Sequence, residues 1–278
     1  MKPKIAVCFF GITRSLSHTI ASIERNVLDP ARNSGNVTIY SHFFLQRDLV
    51  NRRSGEKGHL DLGEQRLLPS SFLHLEEPDA CLEEHDFERL KAAGDAWQDD
   101  FQSLRNLVHQ LHSMNVVAAA ALEGGAEVCL FCRPDLAYHD SLSRPIHRAV
   151  AARKPTVFLP RWEPHGGYND RFAICAGTEA IIAYGQRIRC LHDFCAETGR
   201  PLHSEQLLAF SLARAEVSVR KITSRASRVR LDGTQKYEDF AHPWVASVKA
   251  GIRPPATRLA EKMQLRQTVR RLLQKTRP

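Results

Sequence analysis

Residues 128–140, VCLFCRPDLAYHD, join an apolar run to two opposite charges placed around a proline. A short continuous apolar run that ends at a breaker is typical of a buried parallel strand, and Pro134 removes a backbone donor where the strand leaves the sheet. The pattern therefore predicts that Asp135 lies at the carboxyl end of a central strand. Ligands bind along this edge in open α/β sheets, so its position alone makes Asp135 a candidate functional residue.

The order of elements around this stretch predicts an α/β fold. Apolar, β-prone runs predict strands at 4–10, 36–44, 72–75, 127–132, 156–160, 171–176 and 217–222. Helical spacing predicts helices at 15–28, 95–125, 178–197 and 203–214. We also expect Asp29-Pro30 to end the first helix and residues 51–59 to form a mobile loop. Alternating strands and helices indicate a Rossmann-like, mainly parallel central sheet flanked by helices.

Composition is that of an ordinary globular protein. The 278 residues are 43% hydrophobic, which is enough for a sizeable core. No apolar stretch approaches the roughly 18–20 residues that cross a bilayer. The start, MKPKIAVCFFGITRS, is expected to be a first strand and turn rather than a signal peptide. We therefore expect a cytoplasmic protein.

The cysteines point to a reducing compartment. There are seven, an odd and scattered number that is not typical of a disulfide framework. Cys129 and Cys132 have the C-x-x-C spacing of zinc or redox sites, but strand positions three apart point to opposite faces. We predict that both are buried core thiols.

The formal charge of +8 is concentrated at the C-terminal end. The bases there are Arg253, Arg258, Lys262, Arg266, Arg270, Arg271, Lys275 and Arg277. Apolar residues are interleaved with them, which predicts a separate basic amphipathic helix at 251–278 after a folded domain at 1–250. This helix would either make peripheral contact with an anionic membrane or be a disordered solubilising tail.

Several signature motifs are absent from the sequence. It contains no G-x-G-x-x-G after the first strand, no G-x-x-x-x-G-K-S/T, no H-E-x-x-H and no G-x-S-x-G. Dinucleotide oxidoreductases, P-loop NTPases, zincin proteases and ordinary α/β-hydrolases are therefore disfavoured.

Four polar clusters follow predicted strands or open a predicted helix. They are Gly11, Thr13 and Arg14; Arg133 and Asp135; Tyr168, Asn169, Asp170 and Arg171; and His203, Ser204 and Glu205. Because successive strand ends of a parallel sheet converge, we expect these clusters to meet at one cleft.

The first cluster suggests a phosphate site and the second suggests a cation site, and each also has a purely structural interpretation. The turn at Gly11 with Arg14 suits a phosphate group, or Arg14 only decorates a helix N-terminus. Asp135 suits a hard divalent cation, or it is a turn aspartate paired with Arg133.

The last two clusters offer acids for proton transfer. Glu205 is a candidate general base, or it forms a helix cap together with Ser204. Asp170 and Arg171 are either a plain ion pair or, with Tyr168, the floor of a sugar site.

Taken in order, four stretches carry a family resemblance. They are IAVCFFGITRS, VCLFCRPDLAY, GGYNDRFAIC and LHSEQLLAFSL. The chain resembles nucleotide-sugar-dependent glycosyltransferases of the GT-A fold, particularly bacterial and viral polysaccharide-type members, over roughly residues 4–235. The resemblance implies a GT-A-like sheet and a site at its carboxyl edge.

The resemblance also implies a donor site with a divalent metal, Mn²⁺ or Mg²⁺. In that fold an Asp-x-Asp motif binds the metal and the diphosphate, and Asp135 occupies the matching place while Arg133 stands in place of the first acid. Either Arg133 replaces part of the ion's charge, or Asp135 alone is the metal ligand. Glu205 resembles the acid that acts as base in inverting members, and Gln206 stands where those members often have a second acid.

The function implied is transfer of a sugar from a nucleoside-diphosphate sugar to a hydroxyl of a glycan or lipid-linked acceptor. The donor-binding residues would be Gly11, Thr13, Arg14, Arg133, Asp135, Tyr168, Asn169 and Arg171, and the catalytic acids Glu205 and Asp170.

Two other functions remain open. One is a non-catalytic nucleic-acid-binding protein that uses VRKITSRASRVR (219–230) and the basic tail, although no familiar nucleic-acid motif accompanies them, so we expect no nucleic-acid partner. The other is a degenerate transferase scaffold that binds a sugar without turnover.

Overall fold

The structure, a computed structural model, describes residues 2–51 and 54–241 of the chain. The strands are β1 (Lys4–Gly11), β2 (Asn36–Phe44), β3 (Asp48–Asn51), β4 (Glu56–His59), β5 (Phe72–Glu76), β6 (Val128–Cys132), β7 (Leu136–Tyr138), β8 (Thr156–Pro160), β9 (Ala173–Ala176), β10 (Ser218–Ile222) and β11 (Ala226–Arg228). The α-helices are α1 (Leu16–Ile23), α2 (Asp29–Ser34), α3 (Ala80–Glu84), α4 (Phe87–Ala92), α5 (Gln102–Glu123), α6 (Ser143–Val150), α7 (Thr178–Gly185), α8 (Leu191–Thr198) and α9 (Ser204–Arg214).

A seven-stranded sheet organises these elements in the order β10-β8-β9-β6-β1-β2-β5. Within this sheet β9 runs antiparallel to both of its neighbours, and the other pairs are parallel. Two small antiparallel pairs, β3 with β4 and β7 with β11, lie outside it. The predicted α/β class, with a mainly parallel central sheet flanked by helices, is confirmed.

Apolar layers cover both faces of this sheet. Alternate residues of β1 and β6 point to opposite layers, so Phe9 and Cys132 belong to one and Cys8 and Cys129 to the other. Cys129 and Cys132 are fully buried, and all seven cysteines are free thiols. The prediction that the C-x-x-C pair consists of core thiols on opposite faces is confirmed.

The expected loop at 51–59 is wrong over the described residues of that range, because β3 and β4 pair there with Asn51 opposite Glu56. A buried acid anchors this hairpin. One oxygen of Glu56 accepts from the backbone N–H of Leu231 at 2.9 Å and the other accepts from Arg14 at 3.1 Å. Polar composition suggested a mobile loop, whereas these bonds tie Glu56 of β4 to distant parts of the chain.

The first helix also differs from its prediction. It does not end at Asp29-Pro30, because a π-helical turn (Glu24–Leu28) carries the chain from α1 directly into α2. Pro30 lies in the first turn of α2. It has no N–H to donate to the carbonyl of Asn26, four residues earlier, and that carbonyl instead accepts from the Leu142 N–H at 2.9 Å.

The two longest predicted helices are shorter than expected. The segment before α5 is a turn, because the Asp95 carboxylate accepts hydrogen bonds from the backbone N–H groups of Trp97, Asp99 and Phe101. The predicted helix at 178–197 is divided into α7 and α8 by a 3-10 turn, Arg187–Cys190.

The predicted basic helix at 251–278 lies outside the described residues. Among residues 2–51 and 54–241, no helix has both the length and the apolar character that crossing a membrane requires.

Candidate active site

A cavity of about 590 Å³ lies at the carboxyl ends of β1, β2 and β6. It is lined by seven of the ten predicted site residues, which are Gly11, Arg14, Arg133, Asp135, Asp170, Arg171 and Glu205. His203 and Ser204 from the fourth predicted cluster also line it. The structure therefore brings all four clusters, separated by up to almost 200 positions in the sequence, to one site.

Asp135 lies between two guanidinium groups at this edge. Arg133 donates from Nε to Oδ1 at 2.8 Å and from a terminal nitrogen to Oδ2 at 2.7 Å, and Arg14 donates to Oδ2 at 2.5 Å. Asp135 is only 3% exposed, and burial opposes its ionisation. Arg133 and Arg14 nevertheless hold the pKa of the carboxyl well below its usual range, so Asp135 stays ionised.

The surroundings of Asp135 do not fit a divalent cation. Both of its oxygens already accept hydrogen bonds from cations, and a hard divalent ion needs several oxygen ligands. Asp135 belongs to neither of the groups of three possible metal ligands found among the described residues. The geometry therefore favours the sequence alternative in which Arg133 supplies positive charge in place of an ion.

Arg14 connects this aspartate to the hairpin. Its second terminal nitrogen donates to Glu56 of β4, and its Nε is buried without a hydrogen-bond partner in the described part of the chain. The turn that places Arg14 begins at Gly11, whose φ of +104° is one that side-chain-bearing residues rarely adopt. The Gly11 N–H donates to Ser113 Oγ at 2.8 Å. Arg14 is thus held on two sides, with a free donor remaining.

Glu205 and Asp170 form a pair of buried acids on the other side of the cavity. Burial, followed by the negative charge of Asp170, raises the pKa of Glu205 to about 7. Burial also opposes ionisation of Asp170, but Arg171, Arg187 and the Ser204 hydroxyl lower the pKa of its carboxyl overall. Ser204 Oγ donates directly to Asp170 Oδ2. Asp170 is therefore charged at neutral pH, whereas Glu205 titrates near neutrality.

The backbone fixes Glu205 through a close contact that sequence reasoning missed. A side chain at Gly167 would place its Cβ 1.8 Å from the carbonyl oxygen of Glu205, and the next residue, Tyr168, donates its N–H to that oxygen at 3.1 Å. The Gly166-Gly167 pair was the feature of the sequence that could have indicated such a close approach of two backbone segments. Only glycine at this position lets the loop lie against the first turn of α9.

Three predicted donor-site residues do not line the cavity: Thr13, Tyr168 and Asn169. The amide of Asn169 donates to the Trp162 carbonyl at 2.7 Å, and its side-chain oxygen accepts from the Arg171 N–H at 3.0 Å. The Tyr168 ring lies 3.9 Å from the Lys221 ammonium. Asn169 shapes the loop, and Tyr168 packs beside it, instead of facing the ligand space.

The cavity also holds charged residues that sequence reasoning did not assign to this site. They are Glu163, His165, Arg228, Arg230 and Lys236. Arg228 pairs with buried Glu238 at 2.8 Å, and Arg230 donates to the Ser54 carbonyl at 2.8 Å. Arg228 and Arg230 are the last two arginines of the basic run 219–230. They are two positions apart, and residues with this spacing in an extended chain point to the same face, which was the available signal in the sequence.

An aromatic wall completes the site. The rings of Trp97 and His203 stack with centroids 5.3 Å apart and planes 19° apart, and both residues line the cavity. His203 Nδ1 lies 3.2 Å from a carboxylate oxygen of Glu205. A flat ring surface therefore adjoins the acid that titrates near neutrality.

Comparison with known proteins gives distant structural likenesses. No protein-family model matches the chain, and no curated protein sequence matches it. A putative glucose-1-phosphate thymidylyltransferase from Bacillus anthracis, in complex with sucrose, aligns at 8% identity and a TM-score of 0.40 over 81% of this chain and 89% of that one. Mouse xyloside xylosyltransferase 1 in its apo form aligns at 9% identity and a TM-score of 0.41 over 79% and 85%. Likeness at this level does not identify a reaction, so function is inferred from the cavity itself.

Proposed function

We propose that this chain transfers a sugar from a nucleoside-diphosphate sugar to a hydroxyl of a glycan or lipid-linked acceptor. One observation carries the proposal: a single cavity at the carboxyl edge of the sheet combines a cluster of guanidinium groups with a carboxyl group, Glu205, whose pKa is about 7. Such a site has a place for a diphosphate and a base for a hydroxyl.

The cationic side would bind the donor diphosphate. Six basic side chains line the cavity, Arg14, Arg133, Arg171, Arg228, Arg230 and Lys236, against four carboxyl groups, Asp135, Glu163, Asp170 and Glu205. Guanidinium groups bind phosphate oxygens in bidentate fashion, and Asp135 holds two of them in fixed orientations. Charge that develops on the departing diphosphate is thereby neutralised by groups that need no rearrangement.

The acid pair would activate the acceptor. With a pKa of about 7, Glu205 is partly ionised at neutral pH and basic enough to take a proton from an acceptor hydroxyl. The hydroxyl oxygen then bonds to the sugar's anomeric carbon as the bond from that carbon to the diphosphate breaks. Asp170 is a weaker base, because its pKa is lowered, so it acts by keeping the pKa of Glu205 high.

The first experiment is a thermal-shift screen with UDP-, GDP-, CMP- and dTDP-linked sugars, each with and without Mn²⁺. A ligand that binds only the folded state raises the temperature midpoint of unfolding. At a ligand concentration of 100 times Kd, it adds about 2.7 kcal/mol to the free energy of unfolding. We expect one nucleotide to give a shift that does not require Mn²⁺ and that is much smaller in Arg14→Gln. Arg220→Gln is the matched control, since Arg220 is exposed and lies outside the cavity lining.

Turnover separates the alternatives. Release of free nucleoside diphosphate in the presence of a glycan acceptor supports a transferase, and donor binding without turnover supports a degenerate sugar-binding scaffold. Salt-sensitive retention of DNA, with no shift for any nucleotide sugar, would favour the nucleic-acid-binding alternative.

A lipid-linked acceptor would place the enzyme at a membrane surface. Residues 251–278 are proposed to supply that contact through their bases and interleaved apolar side chains. Deleting residues 253–278 should abolish sedimentation with anionic vesicles and leave turnover on a soluble acceptor intact. Unchanged vesicle binding after the deletion would contradict this part of the proposal.

A further inference from the structure

A group of histidine and glutamate side chains lies beside the cavity, at the ends of β2 and β5 and against α5. Its centre is formed by His42, Glu76 and His112, whose ligand atoms lie within 4.8 Å of one another. Glu76 Oε2 is 2.8 Å from His42 Nε2 and 3.0 Å from His112 Nε2. None of the three lines the cavity, so the proposed transferase chemistry does not use them.

Hydrogen bonding around Ser113 fixes the protonation of the His42 ring. Ser113 Oγ accepts from the Gly11 N–H at 2.8 Å, lies 2.9 Å from the His42 carbonyl oxygen and lies 2.8 Å from His42 Nδ1. The hydroxyl has one proton, and a carbonyl can only accept. Only one placement of the protons makes all three contacts hydrogen bonds. The Ser113 hydroxyl donates to the His42 carbonyl oxygen, and His42 Nδ1–H donates to the Ser113 hydroxyl.

With the protons placed in this way, the unprotonated Nε2 of His42 faces the Glu76 carboxylate. With its proton on Nδ1, His42 presents a lone pair at Nε2, 2.8 Å from Glu76 Oε2, which also carries lone pairs. Two such atoms repel each other unless a cation lies between them. A metal ion would satisfy both lone pairs and gain His112 as a third ligand.

We propose that His42 Nε2, His112 Nε2 and the Glu76 carboxylate bind one divalent transition-metal ion, with Zn²⁺ the best match. Two imidazoles and one carboxylate are a donor set that Zn²⁺ accepts, with a fourth position left for water. Mg²⁺ prefers an all-oxygen set, so this centre is distinct in chemistry from the donor-site metal implied by the sequence resemblance.

The groups around these ligands suit metal binding as well. Ligating histidines in proteins usually donate their second ring N–H to a fixed partner. Ser113 is that partner for His42, and His85 Nε2 lies 3.1 Å from His112 Nδ1. A proton on His112 Nδ1 leaves its Nε2 available to the ion.

The proposed metal ion would cross-link the exposed edge strand β5 to the rest of the domain. β5 is the last strand on its side and is largely exposed, and the proposed ligands join it to β2 and α5. Ser113 links the same centre to the Gly11 N–H, at the turn that positions Arg14. The ion would therefore act as a structural clamp beside the phosphate-binding edge.

Metal analysis of the full chain tests the proposal. Protein stripped with EDTA and dialysed against Zn²⁺ should retain about one ion per chain, and Zn²⁺ should raise its unfolding midpoint. Glu76→Gln and His112→Gln should each weaken Zn²⁺ binding by at least ~10-fold. His74→Gln is the matched control, because His74 stacks on His42 at 5.1 Å but belongs to neither possible ligand group.

Substitution with Co²⁺ distinguishes these ligands from the free thiols. A visible spectrum of nitrogen and oxygen ligation supports the proposal, and this readout remains valid even if both variants fail to fold. Wild-type protein that retains no Zn²⁺, folded variants that bind it as tightly as wild type, or a thiolate-to-cobalt absorption band would each overturn the proposal.

Discussion

Asp135 and Glu205 are both buried acids in the same cavity, yet their pKa values move in opposite directions. Asp135 is 3% exposed and Glu205 is 8% exposed, so burial opposes ionisation of both. Two guanidiniums contact Asp135 and lower its pKa, whereas the nearby charge of Asp170 adds to the effect of burial on Glu205. The sign of the neighbouring charges, and not the depth of burial, decides whether an acid here orients cations or exchanges protons.

Removing the charge of Asp135 should have the largest effect. In Asp135→Ala, the guanidiniums of Arg14 and Arg133 lose the group that orients them, so we expect turnover to be abolished. Breaking a buried ion pair from one side also lowers stability, by about 3–5 kcal/mol. Urea unfolding and nucleoside-diphosphate release measure the two effects. Full activity in a folded Asp135→Ala protein would contradict the proposed role.

Removing the proton acceptor should spare donor binding. Glu205→Gln keeps the shape of the side chain but has no basic oxygen, so we expect kcat to fall about 10²–10⁴-fold. The thermal shift produced by the nucleotide sugar should stay close to that of wild type. Turnover close to the wild-type rate would assign the base to another group.

The pH dependence of turnover should follow Glu205. Because the group acts as a base, the rate should rise with pH through the pKa of Glu205, about 7. Asp170→Asn removes a negative neighbour, which should move the midpoint of this rise to lower pH. A pH–rate profile of both proteins is the measurement, and coincident midpoints would show that the two acids do not interact.

The two acids should also give opposite pH dependences of stability. Unfolded Glu205 loses its proton near its ordinary pKa of 4.5, but the folded protein keeps it to about 7, so rising pH between these values destabilises the fold. The depressed pKa of Asp135 stabilises the fold above the ordinary value of 3.8, and that contribution is lost as pH falls below it. Urea titrations at several pH values should show the first slope disappear in Glu205→Gln and remain in the control Arg220→Gln.

The position of Asp135 could be predicted from sequence, but its partners could not. An apolar run closed by a proline marks the end of a buried strand, and that local pattern is enough to place the residue. The bond from Arg14 joins positions 121 apart, so it depends on how the strands pack. The same holds for the 51–59 hairpin, because Glu56 accepts from Leu231, 175 positions away.

The convergence of the polar clusters was predictable because parallel strands end at a common edge. Which residues of a cluster face the cavity was not, since Asn169 and Arg171 are two positions apart and only Arg171 lines it. The composition of the basic run 219–230 suggested that it binds nucleic acid. Its last arginines lie in the cavity because β11 carries them to this edge.

The contact between Gly167 and the Glu205 carbonyl has a consequence for mutational tolerance. Gly167 does not line the cavity, yet any larger residue there displaces the first turn of α9 or the loop. In a screen for loss of function, substitutions at this glycine should be as damaging as those at the acid it supports. Libraries that diversify the cavity should keep both positions fixed and vary the Trp97 and His203 wall instead.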